Sequence, residues 1–176
     1  MSGLHFLDTG YLLALELAND QNHRAAAGHW QQFLLQQPRL VTTSFVFDET
    51  VTFFNAHGHH AKAVEVGSNL LDSPSIQLIH VEQRLFEAGW NLLKRHLDKR
   101  YSMTDCISFV VMRELSISRA LTFDRHFVQA GFEVLPVPQT CRIRGHENPV
   151  ARIRRQTAVP SNVAWKTVVC ASEHSI

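Results

Sequence analysis

A chain of 176 residues can build one good core but is short for two ordinary domains, and 45% apolar with 19% charged residues excludes a disordered or fibrous protein. No run approaches the roughly 18 apolar residues of a membrane span, and the first apolar stretch, at Leu4, has neither a basic region nor a cleavage site, so a cytoplasmic location is expected. The formal net charge of +1 hides a split: residues 1–136 carry 11 Lys+Arg against 14 Asp+Glu, a net −3, whereas 137–176 carry 6 against 2, a net +4. Two parts of different character are therefore expected, a periodic domain over 1–136 and a basic C-terminal extension over 137–176.

Residues 4–7 form a short apolar run ending in Asp8-Thr9-Gly10, and the spacing over 11–17 suits a short helix. The Ala-, Leu- and Gln-rich segment 24–37 predicts a helix stopping before Pro38, followed by a strand over 40–43. Ser44 is placed to cap a helix running to about 56, and Gly58 separates it from a helix over 60–71. A third strand is expected over 76–81. Helix 82–98 follows, its apolar repeat being Leu85, Phe86, Trp90, Leu93 and Leu97. The next helix covers 102–115, then a strand over 119–123, a helical turn over 125–130 ended by Gly131, and a strand over 132–135. Short apolar strands alternating with helices predict a three-layer α/β/α domain around a mainly parallel five-stranded sheet. Beyond Pro138, five arginines mix with Gly and Pro and no sustained period appears, so the extension is expected to be disordered. Cys106, Cys141 and Cys170 are widely spaced without a CxxC pair and read as reduced thiols.

In open parallel sheets reactive groups gather beyond the carboxyl ends of the strands. Asp8 and Asp124 each end an apolar strand, while Glu49 and Asp105 sit in unusually apolar company. Taken singly, each has a structural explanation. Asp8 and Asp124 can cap the helical segments that follow them, Ser102 and Asp105 fit a capping box, and Glu49 fits the solvent side of a helix beside Asp48. As a set they say more. Four carboxylates at one sheet edge repel one another and raise each other's pKa values, a cost that a divalent cation would offset. Oxygen ligands select Mg²⁺ or Mn²⁺, and the lack of a Cys/His pattern beside these acids argues against a dedicated zinc site. Spacing alone leaves their convergence open.

The segments Phe6-Leu7-Asp8-Thr9-Gly10, Thr42-Thr43-Ser44 leading to Asp48-Glu49-Thr50, Tyr101-Ser102-Met103-Thr104-Asp105-Cys106 and Leu121-Thr122-Phe123-Asp124-Arg125-His126-Phe127 resemble the four ordered signatures of PIN domains. The closing Ala130-Gly131-Phe132-Glu133-Val134-Leu135-Pro136 is similar to the end of the bacterial toxin-type members, the VapC toxins of type II toxin–antitoxin systems. The resemblance spans about residues 4–136. It implies a metal-dependent ribonuclease using Mg²⁺ or Mn²⁺, commonly a homodimer, restrained by a cognate antitoxin and leaving a 3′-hydroxyl and a 5′-phosphate. By motif it implies that Asp8, Glu49, Asp105 and Asp124 are the metal-site acids. Asp8 and Asp105 would be the closest ligands, with Glu49 and Asp124 working partly through water and Thr122 supplying a supporting hydroxyl near Asp124. Many members carry another acid two residues beyond the fourth, where this chain has His126, which puts a second metal position in question.

Other features read as structural. His57, His59 and His60 crowd a helix break without a metal-binding i, i+4 pair, and Phe45, Phe47, Phe53 and Phe54 at helical spacing suit packing or an interface. Lys94, Arg95, Lys99 and Arg100 form a basic group before the Asp105 motif that either guides an RNA backbone or is a solvated helix end. The alternatives to a toxin are a housekeeping PIN nuclease in RNA processing without an antitoxin and an inactive RNA- or protein-binding module.

Overall fold

The computed structural model of the protein describes residues 3–137. The basic extension expected over 137–176 lies, apart from Val137, outside the described residues. Five strands, β1 (Leu4–Leu7), β2 (Arg39–Thr43), β3 (Ile76–Ile79), β4 (Arg119–Leu121) and β5 (Glu133–Leu135), form one sheet in the order β3-β2-β1-β4-β5, with every pairing parallel. Among the described residues seven helices accompany them: α1 (Thr9–Glu16), α2 (His23–Leu34), α3 (Ser44–Ala56), α4 (His60–Asp72), α5 (Gln83–Arg95), α6 (Met103–Glu114) and α7 (Arg125–Gln129). This is the expected α/β/α architecture.

β1 occupies the centre, and Phe6 and Leu7 are both wholly buried, as a parallel strand covered on two faces requires. From β1 the chain steps outward to β2 and β3, then returns past both to lay β4 along the other side of β1. Right-handed crossovers put α1 to α4 on one face and α5 to α7 on the other. Helix α1 accordingly packs on α2 and α3, and α3 on α4, while α6 packs on both α5 and α7. The direction of winding reverses between β1 and β4, which makes the gap beyond their carboxyl ends the natural ligand crevice of such a sheet.

Several element ends depart from expectation for local reasons. Helix α2 stops at Leu34 because its buried stripe, Ala26, Trp30 and Phe33, is exhausted there; Leu35 is 84% exposed and Gln37 turns the chain at φ 48°. Helix α5 stops at Arg95, and Leu97, expected on its apolar face, is 92% exposed. The contact face of α5 instead holds Leu85 and Gly89, the latter against Ile107 of α6, while Phe86 and Trp90 stay half-exposed. Thr43, not Ser44, caps α3: its hydroxyl accepts from Val46 N at 3.2 Å, while Ser44 Oγ accepts from Val81 N at 3.0 Å.

The polar break around Gly58 is structural as expected, with Gly58 at φ 76°, His57 Nδ1 2.7 Å from Phe53 O and His60 Nδ1 2.9 Å from Asn55 Oδ1. Phe54 joins the core, Phe47 and Phe53 pack against it, and Phe45 contacts Phe86. Cys106 is a free, buried thiol that burial pushes up to about 11. Among the described residues no helix is long and apolar enough to cross a membrane.

Candidate metal centre

Asp8 leaves β1 directly after Leu7, whose register partner across the crevice is Leu121, the last residue of β4. Its extended backbone makes it the N-cap of α1, and Oδ2 accepts from Gly10 N at 3.2 Å. The same oxygen accepts a 2.7 Å hydrogen bond from Thr122 Oγ1. Thr122 Oγ1 in turn accepts from Asp124 N at 2.9 Å, so one buried hydroxyl fixes both the Asp8 carboxylate and the backbone of the acid after β4. The family resemblance puts Thr122 in support of Asp124; its side chain binds Asp8 as well.

Asp124 caps α7, with Oδ1 accepting from His126 N at 2.8 Å. Asp105 stands in the first turn of α6 within a full capping box: Asp105 N donates to Ser102 Oγ at 3.0 Å and Ser102 N donates to Asp105 Oδ2 at 2.8 Å. Three of the four expected site acids are thus also capping residues. Each helix start spends backbone amides on a carboxylate and turns that carboxylate toward the same end of the sheet. Glu49 lies further out, exposed on α3, and reaches the cluster through Thr9 Oγ1, which donates to Glu49 Oε2 at 2.8 Å.

Burial is the main reason the Asp8 carboxyl is pushed up to about 7; the Thr122 and Gly10 hydrogen bonds pull it down, and the charges of Asp105 and Glu49 push it up. Asp105 is also raised, first by burial and then by the charge of Asp124, against the restraining Ser102 hydrogen bonds and His126. Buried carboxylates that cannot all ionise cheaply are what a divalent cation stabilises.

One residue beside them is not an acid. His126 Nδ1 lies 3.3 Å from Asp105 Oδ2 and 3.2 Å from Asp124 Oδ2, and one ligand atom from each of these three residues falls within a 4.8 Å span. His126 Nδ1 is buried and makes no hydrogen bond. His126, which stands where many PIN-like sequences carry another acid, thus lies beside two of the expected site acids: α7 begins at Arg125, and its cap on Asp124 turns the ring two residues later back over that carboxylate. Thr9, the link from Asp8 to Glu49, is likewise a motif residue to which the sequence assigns no role of its own. Its one signal there is its place directly after Asp8.

Residues 5–133 match the family described as PIN domain. The chain belongs to the PIN-domain family. Two strains of Mycobacterium tuberculosis supply relatives named 23S rRNA-specific endonuclease VapC20, each 37% identical over 132 residues, which are 74% of this chain and 98% of the relative. The crystal structure of Mycobacterium tuberculosis VapC20, a sarcin-ricin loop cleaving toxin, superposes on this PIN domain with a TM-score of 0.67 at 35% identity, covering 74% of this chain and 96% of the other. The resemblance carried by the four PIN motifs and by the toxin-type closing segment thus extends across the domain.

Proposed function

We propose that this PIN domain is a divalent-cation-dependent endoribonuclease of the VapC toxin type. The observation that carries the reading is the pairing of Asp105 with Asp124 within a 4.8 Å span, beside an Asp8 that shares the Thr122 hydroxyl with Asp124 and is pushed up to about 7 by burial and then by the charge of Asp105. These acids would hold Mg²⁺ or Mn²⁺, with Glu49 at the rim. Such a cation, when bound, activates water and offsets charge on phosphodiester oxygens during in-line displacement.

The chain's own residues prepare that chemistry. Thr122 and Gly10 fix Asp8 Oδ2, Ser102 fixes Asp105 Oδ2, and Thr9 fixes Glu49, so the carboxylates are held before substrate arrives. Beside His126, residues Asp98, Lys99, Arg100, Arg125 and Gln129 complete the lining of an open cavity of about 240 Å³. Its cationic groups suit a polyanionic backbone, and His126, common to this lining and to the group with Asp105 and Asp124, would bring a phosphodiester beside the carboxylates. Hydrolysis would leave a 3′-hydroxyl and a 5′-phosphate.

The substrate for which the relatives are named makes 23S rRNA, and its sarcin-ricin loop in particular, the first RNA to offer. In the same reading the protein is a cytoplasmic homodimer, inhibited by a cognate antitoxin that lays a basic side chain over the acidic cluster. The test is cleavage of 23S rRNA and of a broad RNA pool by purified protein with Mg²⁺ or Mn²⁺, with and without EDTA, beside a folded Asp8→Asn, Asp105→Asn variant. Cleavage abolished by both chelation and substitution supports the reading. Binding without cleavage by the metal-loaded wild type would instead favour a binding module.

A further inference from the structure

We propose that His126 Nδ1 is a direct ligand of the cation held by Asp105 and Asp124, and that this nitrogen turns the site toward first-row transition ions over Mg²⁺. The inference rests on the metal-dependent reading above and concerns which ion this chain's residues select.

Three observations support it independently of that reading. The separations of His126 Nδ1 from the two carboxylate oxygens, 3.3 and 3.2 Å, are close to the spacing of neighbouring ligands on an octahedral ion, about 3.0 Å for bonds of about 2.1 Å. The nitrogen is shielded from solvent and lies at ion-pair distance from both carboxylate oxygens without the geometry of a hydrogen bond to either, so it faces the position a shared cation would take. Its ring is also held in place: Tyr101, itself buried, meets it edge to face at a centroid distance of 5.4 Å, and the Asp124 cap fixes the backbone beneath it. A histidine kept in this position is a preformed donor rather than a surface side chain passing by.

The chemistry then follows from the donor set. Three carboxylates alone form a hard, all-oxygen site, to which Mg²⁺ is suited. Replacing one oxygen by imidazole nitrogen gains little for Mg²⁺, which holds oxygen and water in preference, and more for Mn²⁺, Fe²⁺ or Co²⁺. An acid at position 126 would give the opposite bias.

The experiment uses the full-length, metal-stripped protein with Mn²⁺ and Mg²⁺ as probes, read by titration calorimetry and by pulsed electron paramagnetic resonance of the Mn²⁺-loaded form. Expected are a ¹⁴N hyperfine coupling in the wild type that is absent from His126→Ala, and a Mn²⁺ affinity that falls at least about tenfold in the variant while Mg²⁺ affinity changes much less. His126→Asp should bind Mg²⁺ at least as well as the wild type while losing the Mn²⁺ preference. Mn²⁺ bound to the wild type without ¹⁴N coupling overturns the proposal, and needs no variant to show it. Equal losses for both ions in His126→Ala, or a gain for both as if a competing cation had been removed, overturn it too. Binding of neither ion to the wild type removes the metal-dependent reading itself, whereas ¹⁴N-coupled binding by a protein that cuts no RNA leaves the ligand assignment standing and removes the ribonuclease.

Discussion

Thr122 Oγ1 donates a 2.7 Å hydrogen bond to Asp8 Oδ2, joining two residues 114 positions apart that each follow directly on one of the two central strands. The bond is buried and stabilises the charged form of an acid that burial otherwise keeps protonated.

Thr122→Val keeps the branched shape and removes both that donor and the acceptor of Asp124 N. The Asp8 carboxyl should rise further, so the acid limb of the pH profile for RNA cleavage moves to higher pH. Thr122→Ser should restore it. Stability should fall by about 1–3 kcal/mol through the stranded polar groups. An unmoved acid limb in Thr122→Val would show that this hydroxyl does not tune the Asp8 carboxyl.

The raised Asp8 and Asp105 carboxyls also make stability depend on pH. Between about pH 4, where a free Asp side chain titrates, and about pH 7, where Asp8 does, the Asp8 carboxyl is protonated more in the folded protein than in the unfolded chain. Raising the pH through that window therefore removes the contribution of Asp8 to the stability of the metal-free protein, at about 1 kcal/mol per pH unit. His5 and His29, lowered by burial, act in the opposite sense, so the Asp8 part is read as the difference in slope between wild type and Asp8→Asn. Urea denaturation in EDTA at pH 5, 6 and 7 checks the slope, and saturating Mn²⁺ should reduce or reverse it, because the cation binds only the folded cluster. A slope in EDTA that is the same in wild type and Asp8→Asn would mean the Asp8 carboxyl is ionised without a cation.

Gly89 lets α5 pack tightly on α6: a Cβ built there would lie 2.6 Å from Ile107 Cγ1 and 3.3 Å from Ile107 N. Gly89→Ala gains up to about 1 kcal/mol of helix propensity. The crowding of buried Ile107 should outweigh that at about 1–3 kcal/mol, for a net loss of a few degrees in melting temperature. Because Ile107 follows Asp105 by two residues on α6, RNA cleavage should fall as well. Calorimetry showing an unchanged or higher melting temperature would mean the two helices can part without cost.

Arg100 and Arg125 line the cavity beside His126. Changing either to Gln should weaken RNA binding and raise the apparent KM severalfold. The slope of log affinity against log salt should become shallower by about 0.7 for each single-strand phosphate that the variant no longer neutralises. Fluorescence anisotropy with a labelled oligonucleotide across a salt series measures this. Parallel salt curves for wild type and variants would place the RNA elsewhere.

Much of the fold could be read along the chain because its signals are local. Phe6-Leu7 reads as a buried strand, Ser102 with Asp105 as a capping box, and Gly131 as the end of a helical turn, where it adopts φ 94°. Local signals fail where packing decides. Leu97 continues the apolar repeat of α5 yet lies in solvent, and Gly89, with no side chain to register in a hydrophobic pattern, makes the close approach.

The site divides along the same line. Asp8, Glu49, Asp105 and Asp124 are marked by ordered motifs, and the sequence by itself determined that three of them would sit at helix starts, since capping depends on neighbours two or three residues away. Which of them meet is decided by the parallel pairing of β1 with β4, which sets Asp8 against Thr122. The same tertiary arrangement turns His126 from an apparent departure into a third donor atom beside Asp105 and Asp124. Distances of a few ångströms between residues far apart in the chain come from strand order and helix packing, which no window of sequence contains.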